Sequence, residues 1–177
     1  MYKKSQVSQV FTYLVAILVI GVIVVVGYKG IAELLKLNCE QKSVQFQKNI
    51  FGFIDEYSDR GSTYEEVLQA PCDIQEVCFA DSRFCSQDPL ERPSSIVAYT
   101  TDKVIISALE DPLECTANVF IKGKTTEALG FAEKLVLSEV QDSQGVKDYP
   151  FKCFKTRSGR FKFLFRGLGR KTQIEAG

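Results

Sequence analysis

The chain has 177 residues, room for one membrane-length helix and one domain of roughly 100 to 140 residues. Its 22 Lys+Arg balance 22 Asp+Glu, so no global field selects nucleic acid or an acidic partner. Histidine is absent, which removes the commonest general base and the commonest transition-metal ligand together and argues against an enzyme.

Met1 to Ser5 reads MYKKS, and Lys3 and Lys4 are the only charges before Lys29. The uncharged stretch runs from Ser5 to Tyr28, with VFTYLVAILVIGVIVVV at its centre, Val10 to Val26. As a helix this length spans roughly 30 Å, the thickness of a hydrocarbon core. A strand is excluded because its backbone groups would face lipid without partners. The paired lysines predict a cytoplasmic N-terminus and send the rest of the chain outward. A cleavable secretory signal would have a shorter apolar region, about 7 to 15 residues, ending at a small-x-small site. Val25-Val26-Gly27 matches that site poorly. Gly21, Gly27 and Gly30 offer either a kink or close helix approach.

The helix is expected to continue as an amphipathic segment over residues 29–60. Ile31, Leu34, Leu35 and Asn38 keep helical spacing, as do Ile50, Phe53, Ile54 and Tyr57. Val44 and Phe46 are isolated apolar points in the more polar stretch between them. Gly61-Ser62 reads as a stop. Ser62-x-x-Glu65 reads as a capping box that starts a short helix, Thr63 to Gln69, ended by Pro71.

Beyond Asp73 the pattern changes to short strands between turn residues. The expected strands are Glu76–Ala80, Ile96–Thr100, Val104–Ala108, Ala117–Ile121, Phe131–Leu137, Phe151–Thr156, Phe161–Arg166 and Lys171–Glu175. Residues 160–166 alternate charged and aromatic side chains, the mark of a half-buried strand. With turns at Arg157-Ser158-Gly159 and Gly167-Leu168-Gly169, residues 151–175 read as an antiparallel meander. Asp88 to Ser95 and Asp142 to Asp148 read as loops. The predicted fold class is therefore α+β: a long N-terminal helix, apolar then amphipathic, followed by a mainly antiparallel β domain over 61–177.

Six cysteines, Cys39, Cys72, Cys78, Cys85, Cys115 and Cys153, all follow the apolar run. An even number on the outer side of a membrane predicts disulfides, with the pairing left open. Metal binding is disfavoured, since no close C-x-x-C pair exists and no histidine completes a site. Asp55, Glu56, Asp59, Glu65 and Glu66 cluster but lack the ligand order of a calcium loop, so a solvated helix end is expected. Lys152, Lys155, Arg157, Arg160, Lys162, Arg166, Arg170 and Lys171 form a basic excess that strand alternation explains without nucleic acid. Neither a nucleophile triad nor a phosphate loop is present, and no cofactor is expected.

Lys3-Lys4-Ser5 followed by Gln6-Val7-Ser8-Gln9-Val10-Phe11-Thr12-Tyr13-Leu14 resembles the start of archaeal type IV pilin-like precursors. Their class III signal peptide is a short basic leader that a membrane peptidase removes on the cytoplasmic side. Mature chains commonly open Gln-x-Ser-x-Glu-x-x-x-Leu, and Gln6, Ser8 and Leu14 fall on that pattern. The resemblance implies recognition through Lys3, Lys4, Ser5 and Gln6, with a cut between Ser5 and Gln6. It implies an assembly helix that carries Val10, Leu14, Ile17, Gly21 and Val24, and partners among other pilin-like subunits, a prepilin-type peptidase and an assembly platform. The domain would then lie outside the cell, on a surface or adhesive filament. Two positions depart from the family: Ser5 stands where Gly or Ala is usual, and Val10 where Glu is usual. That Glu is thought to offset a neighbour's charged amino terminus, so Val10 points away from a major subunit. The competing expectation is a permanently anchored extracytoplasmic binding domain with an uncut N-terminus.

Overall fold

A computed structural model describes residues 4–86, 88, 90, 93, 95–110, 115–137, 140–142, 145–147 and 149–177, with side chains outside 4–10 and 140–147. The chain divides into two compact units, Met1–Gln41 and Lys42–Gly177. Helix α1, Lys4–Glu56, is continuous over 53 residues. The predicted fold class holds: a long helix, then a mainly antiparallel, disulfide-bonded sheet domain.

Within the second unit, α1 turns one stripe inward. Phe46, Ile50 and Ile54, each four residues from the next, are buried, and Phe53 and Tyr57 pack beside them. The helix end is closed by side chains from the domain. Thr172 Oγ1 donates to the Ile54 carbonyl at 2.5 Å, and Ser62 Oγ donates to the carbonyls of Tyr57 and Asp59 at 3.1 and 2.6 Å.

That use of Ser62 overturns the capping-box expectation. Thr63–Gln69 is strand β1, not a helix. Its residues pair antiparallel with β9, Arg160–Gly167, in the register Tyr64 to Phe165, Glu66 to Phe163 and Leu68 to Phe161. Thr, Tyr and Val suit a pleated surface, and pairing with an aromatic strand outweighs a local cap. A first sheet forms in the order β1-β9-β10-β5, where β10 is Thr172–Ala176 and β5 is Leu135–Leu137. The β10–β5 pair is parallel and the others antiparallel.

The second sheet has the order β4-β3-β2-β8: β2 is Glu76–Ala80, β3 Val119–Lys122, β4 Thr126–Gly130 and β8 Phe151–Lys155. The expected meander is thus only its last hairpin. Ser158 and Gly159, at φ 52° and 71°, turn the chain from β8 in one sheet to β9 in the other. β4 escaped the sequence reading because its sequence, TEALG, carries no apolar alternation. The short pair β6, Val140–Asp142, and β7, Gly145–Lys147, takes Asp142 and residues 145–147 of the loop expected at 142–148; Ser143, Gln144 and Asp148 lie outside the described residues. In the loop expected at 88–95, the described residues 88, 90, 93 and 95 join no helix or strand.

Two other predicted strands are helical. Residues 96–100 hold a 3-10 turn, Ile96–Ala98, and residues 104–108 lie in helix α2, Lys103–Leu109. β-branched Val104, Ile105 and Ile106 suggested a strand, but Asp102 caps the helix through the Val104 N–H, and Ile105 and Leu109 bury one helical face. The strand expected over 131–137 shortens to β5, because Asn118 holds Ala132 by both its N–H and its carbonyl.

Both faces of the second sheet are covered. Val77, Phe79, Val119, Ile121 and Phe154 meet α1 and the Phe161-Phe163-Phe165 face of β9. Cys78, Ala80 and Phe120 point the other way, under Phe84, Ile96, Ile105 and Leu109. Phe163 sits at the centre, edge-on to Phe79 and Phe154. Truncating it leaves a cavity the size of a ring. Phe163→Ala is expected to lower unfolding free energy by about 3–5 kcal/mol, whereas exposed Val67→Ala changes it by less than about 1 kcal/mol. Denaturant titration of the two variants checks this.

Candidate functional site

The candidate site is the apolar stretch of α1, Phe11–Tyr28, which is left exposed among the described residues. From Phe11 to Tyr28 every residue is exposed, and the span is long and apolar enough to cross a membrane. Leu14, Ile17 and Val24 are 59%, 71% and 62% exposed, and a Cβ added at Gly21 would meet no atom within 4 Å. With Val10 these positions recur at three- and four-residue steps, so the helix places all five on one face. Lys4, Ser5, Gln6 and Val10 lie in the helix backbone with side chains outside the described set; Lys3 lies outside the described residues altogether.

The energetic consequence follows from area. Fully covering a Val, Ile or Leu side chain is worth about 1.5–3 kcal/mol, so a dozen left bare cost on the order of 20 kcal/mol in water. This exceeds the net stability of an ordinary domain. The segment therefore requires lipid or other helices around it.

The cysteines are joined, and among the described residues none is free. Cys78–Cys153 links register partners at the centres of β2 and β8. Cys85–Cys115 ties the 3-10 turn Ser82–Cys85 to the segment that leads into β3. Cys39 and Cys72 are disulfide-bonded as well. Closing loops of 75 and 30 residues removes unfolded-chain entropy worth about 4.5 and about 3.5 kcal/mol on the loop-closure estimate. Glu76, Cys78 and Cys153 bring their ligand atoms within 4.8 Å, but both sulfurs are spent on each other.

Two ionisable clusters sit in the domain, and sequence reasoning missed both. Tyr57 donates to Glu66 at 2.7 Å and stacks on Phe53 and Tyr64. That hydrogen bond, helped by burial and by the negative charge of Glu66, pushes the phenol from its usual 10 up to about 12. Asp102 accepts from the Thr126 hydroxyl at 2.6 Å and from the Val104 N–H at 3.0 Å, with Lys122 at 3.3 Å. Burial raises the carboxyl, but these donors together outweigh it and hold the group below its usual value. An Asp three residues before the i, i+4 apolar pair Ile105 and Leu109 was the signal for this cap.

Of the suspected calcium carboxylates, Glu65 pairs with Lys162, Asp55 with Lys134, and Glu66 with Tyr57. Glu65 and Glu66 lie on strand β1, not on the solvated helix end expected for the cluster. Of the basic excess, Arg160, Lys162 and Arg166 line the outward face of β9, as alternation predicted. A surface cleft of about 230 Å³ beside β1 is lined by Lys42, Gln45, Phe46 and Asn49 with residues 67–70, and brings together neither a carboxylate pair nor a nucleophile.

No protein family, curated protein or solved structure matches the chain. Its class thus rests on its own architecture, a disulfide-bonded α+β domain carried on a helix of membrane-spanning length and composition.

The raised Tyr57 pKa makes a stability prediction with a definite sign. A phenol that ionises later in the folded state adds stability that is complete below pH 10 and fades as pH rises towards about 12. The difference in unfolding free energy between wild type and Tyr57→Phe should therefore be constant from pH 7 to about 9.5 and shrink above it. Paired denaturation curves across that range measure it.

Proposed function

We propose that the chain is a non-enzymatic, pilin-like surface protein, a subunit or minor component of a type IV pilus-like filament assembled through its N-terminal helix. The observation that carries the reading is the wholly exposed apolar helix placed directly after Lys3-Lys4-Ser5-Gln6. In the precursor the helix waits in lipid, with the lysines on the cytoplasmic side and the disulfide-bonded domain outside. A prepilin-type peptidase removes Met1 to Ser5, and an assembly platform moves the helix from lipid into a bundle of similar helices. Lipid and bundle are about equally apolar, so close packing at positions such as Gly21 sets the gain. The disulfides keep the domain folded outside the cell.

Val10 favours a second reading, a permanently anchored extracytoplasmic binding domain. With Val in place of Glu, a neighbour's amino terminus would lack its counter-charge inside a filament.

The mature N-terminus separates the two. Mass spectrometry of the chain purified from membranes is expected to show a start at Gln6, in its cyclised form. A chain that retains Met1 or Tyr2 would eliminate the processed-pilin reading and leave the anchored domain.

A further inference from the structure

The two four-stranded sheets end in four edge strands, β1, β5, β4 and β8. Native edges are normally blunted by shortness, irregularity, cover or lysines. β5 has only three residues, and β8 carries Lys152 and Lys155. β4 has an irregular register against β3, and its Leu129 carbonyl is taken by Gln47 of α1. β1 has none of these devices. It runs for seven residues in continuous register with β9, without proline or lysine. Its two acidic side chains are engaged within the domain, Glu65 by Lys162 and Glu66 by Tyr57. The Gly167 N–H donates to the Ser62 carbonyl and the Ala70 N–H to the Gly159 carbonyl, at 2.8 and 2.9 Å. Bonded residues alternate along an antiparallel strand, so the backbone groups of Tyr64, Glu66 and Leu68 point to β9 and those of Thr63, Glu65, Val67 and Gln69 point away from it. Among the described residues no second strand takes them.

We propose that the β1 edge docks an extended segment of a different protein, added to the sheet beyond β1, with a carboxylate side chain level with Leu68. The cleft beside this edge supplies the choice of occupant. It holds about 230 Å³, several times the roughly 30 Å³ of one water, and buried Phe46 and Leu68 form part of its wall. Gln45, Asn49 and Gln69 line it with amides, and Lys42 is the one charged residue in its lining. Lys42 makes no ion pair among the described residues. Side chains of an added strand alternate between the faces of the sheet, and those level with Tyr64, Glu66 and Leu68 project on the α1 side. The one level with Leu68 meets the cleft, where the Lys42 ammonium is the counter-charge for a carboxylate. Backbone bonds then supply affinity and the cleft supplies selectivity. A second copy of β1 is the poorer occupant, because antiparallel pairing along the whole edge sets Glu66 against Glu66.

The docking edge belongs to the domain and depends neither on leader cleavage nor on filament assembly. Its test uses the full chain in dodecylmaltoside micelles with two fluorescein-labelled peptides, Thr-Val-Thr-Glu-Thr-Val-Thr and the same sequence with Lys at the centre. Fluorescence anisotropy is expected to show the Glu peptide binding about ten-fold more tightly, and Lys42→Glu is expected to reverse that preference. Val67→Pro removes an outward N–H that β9 does not use, so the domain stays folded by circular dichroism while both peptides bind about ten-fold more weakly or not at all. Lys42→Glu changes an exposed side chain and keeps the test decisive even if Val67→Pro unfolds. Equal affinity of wild type and folded Val67→Pro, equal affinity for the two peptides, or no binding of either at about 1 mM would overturn the proposal. Self-association in sedimentation that Val67→Pro abolishes, with no peptide bound, would overturn it in favour of a second copy at this edge.

Discussion

Apolar side chains in water are the constraint from which the remaining organisation follows. One continuous helix, Lys4–Glu56, meets it differently at its two ends. Near the C-terminal end the molecule supplies its own cover: Phe46, Ile50 and Ile54 are at most 3% exposed, and Phe161 lies against Phe46. Along Phe11–Tyr28 every residue is exposed among the described residues. Because no polar face alternates there, burying one stripe cannot hide the segment, and cover has to come from lipid or from other helices.

The domain is built to hold its end of the helix rigidly. The helix carbonyl at Ile54 accepts from Thr172, and Gln47 Nε2 donates to Leu129 at 2.6 Å, so β4 and β10 both grip α1 by side chains as well as by packing. Asp81 plays the corresponding part between the sheets. It is fully buried at the end of β2, paired with Arg83 at 2.9 Å, and accepts the Leu137 N–H of β5 at 3.2 Å. A buried carboxylate is tolerable only with such a complement of donors. Two of the disulfides act on the same second sheet and its cap: Cys78–Cys153 crosses the β2–β8 ladder, and Cys85–Cys115 ties down the covering 3-10 turn.

How far the sequence discloses this depends on the range of each interaction. The uncharged run from Ser5 to Tyr28 and the alternation of residues 160–166 are local patterns whose physics needs no partner, and both were legible. Ile50 and Ile54 were legible for the same reason, whereas Phe46, read as an isolated apolar point, stands one helical turn before Ile50 and joins the same buried stripe. Ser62-x-x-Glu65 misled because a cap and a strand compete for the same residues, and the winner was decided by β9, about a hundred residues away. Val104–Ala108 misled through β-branching, which tertiary burial of Ile105 and Leu109 overrode. The Tyr57–Glu66 bond and the Asp102–Thr126 contact join different elements, so neither was visible before the fold. The Cys78–Cys153 pairing belongs with them, since it follows from strand register rather than spacing.

The most direct test of the account is where the two ends of α1 reside in a living cell that makes the protein. Intact cells are treated with an amine-reactive reagent that does not cross membranes, the membranes are washed with alkaline carbonate, and the labelled lysines are mapped by mass spectrometry. The account predicts that the chain stays with the membrane or with sheared surface filaments, and that exposed domain lysines such as Lys124 and Lys155 are labelled before lysis. A chain released by carbonate as a dispersed soluble protein, or one whose domain lysines react only after lysis, would contradict it.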